Sequence, residues 1–310
     1  MITWKGIFPA VTTKFRPNDE LDLDLFGKNL EAQVDAGVNG IIIGGTLGEA
    51  SVLSTDEKIA LIKFAKEVTT DSVPIILNIA EGSTREALAQ VKLAESLGCN
   101  GLMLLPPMRY KCDHRETVTY FTTLANATGL PIMLYNNPVD YKTEITLNML
   151  DELLNCENIQ AIKESTRDVT NVTRLINRFG NRLKILCGVD TIAMESLLLG
   201  AHGWVAGLVC AFPNETVALY TLIQEKKYEE ATALYRWFMP LLELDIHSKL
   251  VQYIKLAESR TGLGSEQVRA PRLVLEGNER TRILKIIDDA IAGRPSLTTH
   301  SITATTLINN

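Results

Sequence analysis

A lysine closes an apolar run at Ile159-Gln160-Ala161-Ile162-Lys163-Glu164. If the run is a strand, residues 159, 161 and 163 share one face, so the amine points the same way as two apolar side chains. Keeping an ammonium charged there is costly. Desolvation lowers its pKa and leaves a nucleophilic amine, the species that forms an imine with a carbonyl carbon. A strand-end lysine can equally snorkel into solvent or pair with an acid, and the pattern alone leaves both open. Glu164 faces the other way, toward a structural role.

Two further runs end in reactive groups. In Pro131-Ile132-Met133-Leu134-Tyr135-Asn136-Asn137-Pro138, Tyr135 shares its face with Met133. A phenol beside an imine can carry protons; the other reading is a core tyrosine bonded to backbone. In Gly44-Gly45-Thr46-Leu47-Gly48-Glu49, glycines let backbone N–H groups converge on an anion and Thr46 adds a hydroxyl. No lysine or helix-opening Ser/Thr completes a phosphate loop, so the anion that fits is a carboxylate. The same residues also suit a tight turn from strand to helix.

These groups need elements to position them. Short apolar, β-branched runs recur at 6–11, 40–43, 74–79, 101–105, 131–135, 159–163, 184–187 and 203–206. Helical patterns lie between them. Leu21–Asp35 is the first, and Ser54-Thr55-Asp56-Glu57 and Ser83-Thr84-Arg85-Glu86 open the next two as capping boxes. Gly98 and Gly129 fall where helix ends take a left-handed residue. Eight strand–helix units predict a (β/α)8 barrel over 1–227, whose chemistry sits at the C-terminal ends of the strands. An open doubly wound sheet competes, but its Gly-rich phosphate fingerprint is missing. Helices at 228–244, 249–260 and 280–292 make a C-terminal extension over 228–294, and a polar tail follows over 295–310.

Composition excludes several functions. The 310 residues are 46% hydrophobic and carry 31 basic against 37 acidic side chains, a net −6, so no basic field exists for nucleic acid. The longest stretches without formal charge, 117–139 and 196–214, are broken by Gly and Pro and do not read as membrane spans. No export signal is visible at the start, and the five cysteines show no C-x-x-C, which together lead to an expectation of reduced thiols in a cytoplasm. The four histidines are scattered, so no metal site is expected. Signatures for nucleotide hydrolysis, dinucleotide redox and Ser-His-Asp hydrolysis are absent.

Taken together, I-K-E-S, L-Y-N-N-P and G-T-x-G-E, with Gly188-Val189-Asp190 and Gly200-Ala201-His202-Gly203, resemble the dihydrodipicolinate synthase / N-acetylneuraminate lyase family over about residues 5–295. The resemblance implies a barrel with C-terminal helices, a homotetramer built as a dimer of dimers, and no metal or organic cofactor. It implies that Lys163 forms a Schiff base with C2 of a 2-oxo acid and that Tyr135 moves protons with Thr46 in its relay. Thr46 and the Leu47 N–H would hold the substrate carboxylate, with Gly45, Gly188 and Val205 completing the substrate-binding set. A subunit-crossing tyrosine would fall at Arg109 or Tyr110, and its chemistry favours Tyr110.

Departures from the synthase pattern narrow the reaction. Leu47 stands where the synthase has a second hydroxyl residue. No arginine follows Y-N-N-P to hold a second carboxylate, and Lys142 is the cation offered in its place. Y-N-N-P-V, C-G-V-D, G-W-V-A-G-L-V and K-L-V-Q-Y-I-K-L-A look most like the branch that deaminates 1-pyrroline-4-hydroxy-2-carboxylate, a cyclic imino acid. The alternatives are 4-hydroxy-tetrahydrodipicolinate synthesis, a 2-keto-3-deoxy sugar-acid aldolase or dehydratase, and a non-catalytic ligand-binding barrel.

Overall fold

A computed structural model describes residues 2–70, 72–107 and 110–297. The strands are β1 (Gly6–Pro9), β2 (Ile41–Ile43), β3 (Ile75–Ile79), β4 (Gly101–Leu104), β5 (Ile132–Asn136), β6 (Ile159–Glu164), β7 (Lys184–Cys187) and β8 (Gly203–Ala206). Each coincides with one of the eight expected runs. They pair in parallel in the order β1-β8-β7-β6-β5-β4-β3-β2. The ring closes between β1 and β2 through a parallel bridge from Ala10 to Ile42, with the Val11 N–H donating to Ile42 O at 3.1 Å. This is the (β/α)8 barrel.

Helices α1 (Leu23–Ala36), α2 (Thr55–Thr69), α3 (Thr84–Ser96), α4 (His114–Asn126), α5 (Pro138–Tyr141), α6 (Leu147–Leu153), α7 (Thr170–Phe179), α8 (Ala193–Leu198) and α9 (Pro213–Gln224) follow their strands. The extension is α10 (Tyr228–Leu242), α11 (Leu250–Thr261) and α12 (Gly277–Ala292). The Ser54–Glu57 capping box forms in full at the start of α2. At α3 only half forms. Ser83 Oγ accepts from the Glu86 N–H, but the Glu86 carboxylate takes the Ser83 hydroxyl and not its backbone. Gly98 is left-handed at φ +65°. Gly129 is not, because α4 ends through Ala127 in a right-handed conformation.

Both faces of the strands are apolar because both are covered. Inside the barrel, Phe8, Ile42, Ile76, Met103, Met133, Ala161, Leu186 and Val205 pack together with Ile2 and Trp4. Ile2 and Trp4 lie against Gly101, at the start of β4, and so plug the N-terminal end. Outside, Ile7, Ile41, Ile43 and Leu77 pack on the helices in a core that runs on through Phe238, Ile254, Ile283 and Ile287 of the extension. The expected polar tail lies outside the described residues from position 298 onward. Among the described residues, no helix is long and apolar enough to cross a membrane.

Candidate active site

The C-terminal strand ends open into a cavity lined by Thr46, Leu47, Tyr135, Lys163, Gly188 and Val205, together with Gly45. Seven residues chosen from sequence thus meet in one place. Register explains the central pair, since Tyr135 on β5 stands directly beside Lys163 on β6. Lys163 Nζ lies 4.0 Å from the centre of the Tyr135 ring. Lys163 is only 7% exposed, and burial pushes its pKa down, against the pull of Tyr141, Asp245 and Asp190. The amine is therefore biased toward its free, nucleophilic form. Burial pushes the Tyr135 phenol up to about 12, so it stays protonated near neutrality. Glu164 turns outward and accepts from Asn136, Asn171 and the Thr166 N–H, the structural role expected of it.

Gly188 does something the sequence did not reveal. A Cβ there would meet Lys163 Cγ and Cε at 2.6 Å and Ser165 Oγ at 2.2 Å. The missing side chain is the space in which the lysine stem lies.

The expected Thr46–Tyr135 relay is not what forms. Thr46 Oγ1 is bonded to Tyr141 OH at 2.5 Å, and Tyr135 OH accepts from Asn137 Nδ2 at 3.2 Å. Tyr141, six residues after Tyr135, is brought back beside it by α5, a single turn capped by Asn137 and opened by Pro138. The signal was present as an aromatic at the end of Y-N-N-P-V-D-Y, but its value depends on the turn bringing it back.

The loop carrying Thr46 is anchored from behind. Glu49, left-handed at φ 55°, is fully buried and takes Lys255 Nζ at 2.5 Å and the Arg269 N–H at 3.1 Å. A second buried pair, Lys14–Glu258 at 2.6 Å, sits beside it. The motif's glutamate is thus the tie between the β2 loop and α11. Removing one partner of such a pair strands the other charge in the interior, at roughly 3–5 kcal/mol. Lys255→Met is expected to lower stability by about that much in urea unfolding; a loss under about 1 kcal/mol would show that the pair does not hold the loop.

Two acids stand at this end of the barrel, Asp245 lining the cavity and Asp190 buried behind it. Asp190 accepts from Trp204 Nε1 at 2.8 Å and from the Gly207 and Leu208 N–H groups, fixing the end of β8. Asp245 comes from the turn after α10 and rests on Gly207, where a Cβ would lie 2.1 Å from its Oδ1. Burial and the nearby Asp190 push the Asp245 carboxyl well above the usual carboxylate range. Asp140 and Arg167 also line the cavity, whereas Lys142 does not, so Arg167 is the cation at the rim. Neither Asp245 nor Arg167 carried a motif; Asp245 arrives from the distant turn after α10, and Arg167 from the loop that follows β6. Tyr110 is 57% exposed and lies in a different groove with Cys112 and Arg115, and Arg109 lies outside the described residues. Among the described residues, no cluster of His, Cys, Asp or Glu is placed to hold a metal ion.

Residues 3–290 match the dihydrodipicolinate synthetase family, and the chain belongs to that family. It is 32% identical over 272 residues to a 4-hydroxy-tetrahydrodipicolinate synthase from Exiguobacterium sibiricum, covering 88% of this chain and 92% of that one. It is 34% identical over 210 residues to a DapA-like lyase from Rhizobium meliloti, covering 67% and 70%. A dihydrodipicolinate synthase from Bacillus anthracis superimposes with a TM-score of 0.89 at 27% identity, over 93% and 99% of the two chains. The protein is accordingly a Schiff-base lyase that works on a small molecule and needs no cofactor.

Proposed function

We propose that Lys163 forms the Schiff base and that the reaction is the deamination of 1-pyrroline-4-hydroxy-2-carboxylate. The observation that carries the substrate choice is the acidic mouth. Asp140 and Asp245 face the cavity where a second substrate carboxylate would need a cation, and Leu47 gives an apolar wall suited to a compact ring. The imine exchange opens the ring as Lys163 bonds to C2 and the ring nitrogen departs as an amine. The resulting iminium is an electron sink, so a C3 proton can be lost and the 4-hydroxyl can leave as water. Asp245 lines the same cavity and is the acid that would supply the proton to that leaving group. Transfer of protons from C5 and its amine to C3 and C4 then shifts the double bond to an imine at C5; hydrolysis there releases ammonia, and hydrolysis at C2 frees Lys163 and 2-oxoglutarate semialdehyde, with a net uptake of one water.

A second reading is favoured by specific observations. Several relatives are named 4-hydroxy-tetrahydrodipicolinate synthase, and Arg167 at the rim could hold the carboxylate of aspartate semialdehyde. A charge-assisted contact of that kind contributes about 1.5–3 kcal/mol, or one to two powers of ten in affinity. The discriminating measurement is kcat/KM for ammonia release from the pyrroline against condensation of pyruvate with aspartate semialdehyde. Ammonia release is expected to be faster by at least about tenfold. Faster condensation, with a higher aldehyde KM in Arg167→Ala, would establish the synthase reading instead.

A further inference from the structure

We infer that Asp245, seated on Gly207, selects the far end of the substrate. It admits a 2-oxo or cyclic 2-imino acid that carries a hydroxyl there and turns away one that carries a second carboxylate. The inference rests on Lys163 as the imine-forming lysine and deepens the proposed reaction by naming the class of ligand the cavity takes. Lys163 fixes C2, so whatever lies beyond C3 must meet another wall. The C-terminal extension supplies one. Asp245, Ile246 and Leu250 line the same cavity as Lys163, and all three come from beyond the last strand. Two of them are apolar, so Asp245 is the polar contact that this wall offers. A missing side chain makes room for its carboxyl. A Cβ on Gly207 would lie 2.1 Å from Asp245 Oδ1 and 2.9 Å from its Cγ, so any side chain there would push the acid away. The Gly207 N–H donates to Asp190 at 3.3 Å, and Asp190 also accepts from Trp204 Nε1 and the Leu208 N–H. Gly207 therefore holds one acid by its N–H and seats the other on its Cα. Asp190 is satisfied by those donors. Among the described residues, no donor is bonded to Asp245, whose half-buried carboxyl faces the cavity.

The charges around Asp245 work against a second carboxylate. The groups that face it are Asp190 after β7, Asp140 on α5, Lys163 on β6, Arg167 in the loop after β6 and the Tyr135 phenol on β5. Burial and Asp190 push its carboxyl up. A further carboxylate meets like charge when Asp245 is ionised, and can share its proton only when it is not. A hydroxyl fits either state, donating to the carboxylate or accepting from the acid. Discrimination against a distal carboxylate should therefore widen as pH rises through the Asp245 pKa. Deprotonation of Lys163 is common to every ligand and cancels in a ratio.

Borohydride trapping at Lys163, read by mass with three 2-oxo acids of equal chain length, is the test. 2-Oxopentanoate ends in a methyl, 2-oxoglutarate ends in a carboxylate, and 4-hydroxy-2-oxopentanoate carries a hydroxyl. The wild type should be half-labelled at the lowest concentration by the hydroxy acid. At pH 8 it should need at least about tenfold more 2-oxoglutarate than 2-oxopentanoate, the scale of a contact to a charged group. Between pH 6 and 9 that ratio should grow. In Asp245→Asn, which keeps the shape and removes the charge, the ratio should shrink at least about fivefold and lose its pH dependence. Asp245→Leu should erase the preference for the hydroxy acid. Gly207→Ala should move both preferences with Asp245 still present, because the methyl displaces the carboxyl. An equal loss of labelling by all three acids in Gly207→Ala would show that the glycine does not seat a selecting group. Wild-type ratios in Asp245→Asn, or a wild type that labels best with 2-oxoglutarate, would overturn the selection while leaving the Lys163 label in place. A wild type that takes no label at Lys163 from any of the three would overturn the underlying reading and the selection with it.

Discussion

Lys163→Ala is expected to lower turnover by roughly 10³-fold or more, a modest share of what a held nucleophile contributes over one free in solution. No other amine among the cavity's lining residues can take its place, since the remaining cation is the Arg167 guanidinium at the rim. The barrel should stay folded. The Lys163 side chain sits at a strand end with one face toward the cavity, and removing it relieves the desolvation of a buried amine. The pH dependence has a definite sign. The protonated form cannot attack a carbonyl, and burial has moved the Lys163 pKa below that of an exposed lysine. Imine formation should therefore rise with pH through that lowered value and level off before an exposed lysine would deprotonate. Stopped-flow imine formation between pH 5 and 10 measures it. A limb at the ordinary lysine pKa, or a Lys163→Ala variant with near-normal turnover, would sink the assignment.

Gly188→Ala is expected to cost about 10²-fold in kcat with little loss of stability. The added methyl would sit 2.6 Å from two carbons of the Lys163 stem, well inside van der Waals contact. The lysine must swing away, because the backbone of Gly188 is tied by its N–H to Glu164 O at 2.9 Å. A displacement of about 1 Å at a reacting group is enough for a loss of that size. The signature is specific: slow borohydride labelling of Lys163, unchanged thermal unfolding, and no recovery at saturating substrate. Normal labelling would mean that the lysine tolerates the methyl and that the glycine serves some other purpose.

The extent to which sequence determined this protein follows from which interactions are local. Strand positions were legible because a strand covered on both faces is apolar throughout, and α2 was legible because Ser54 and Glu57 satisfy each other within one turn. Lys163 and Tyr135 stood out because a polar end on an apolar run is unusual within a short window. Where two local outcomes were open, residue types and spacing did not choose between them. Gly129 read as a left-handed cap, yet α4 closes through Ala127. Ser83 read as a full box, yet the Glu86 carboxylate took its hydroxyl. The partner of Thr46 was beyond sequence reasoning altogether, because it depends on α5 turning Tyr141 back beneath the loop. So were Asp245, delivered by the turn after α10, and the tie from Glu49 to Lys255 across 206 positions. Spacing along the chain fixes what lies one turn or one strand away. The closing of the barrel and the docking of the C-terminal helices fix which distant side chains share a cavity, since only packing sets those distances.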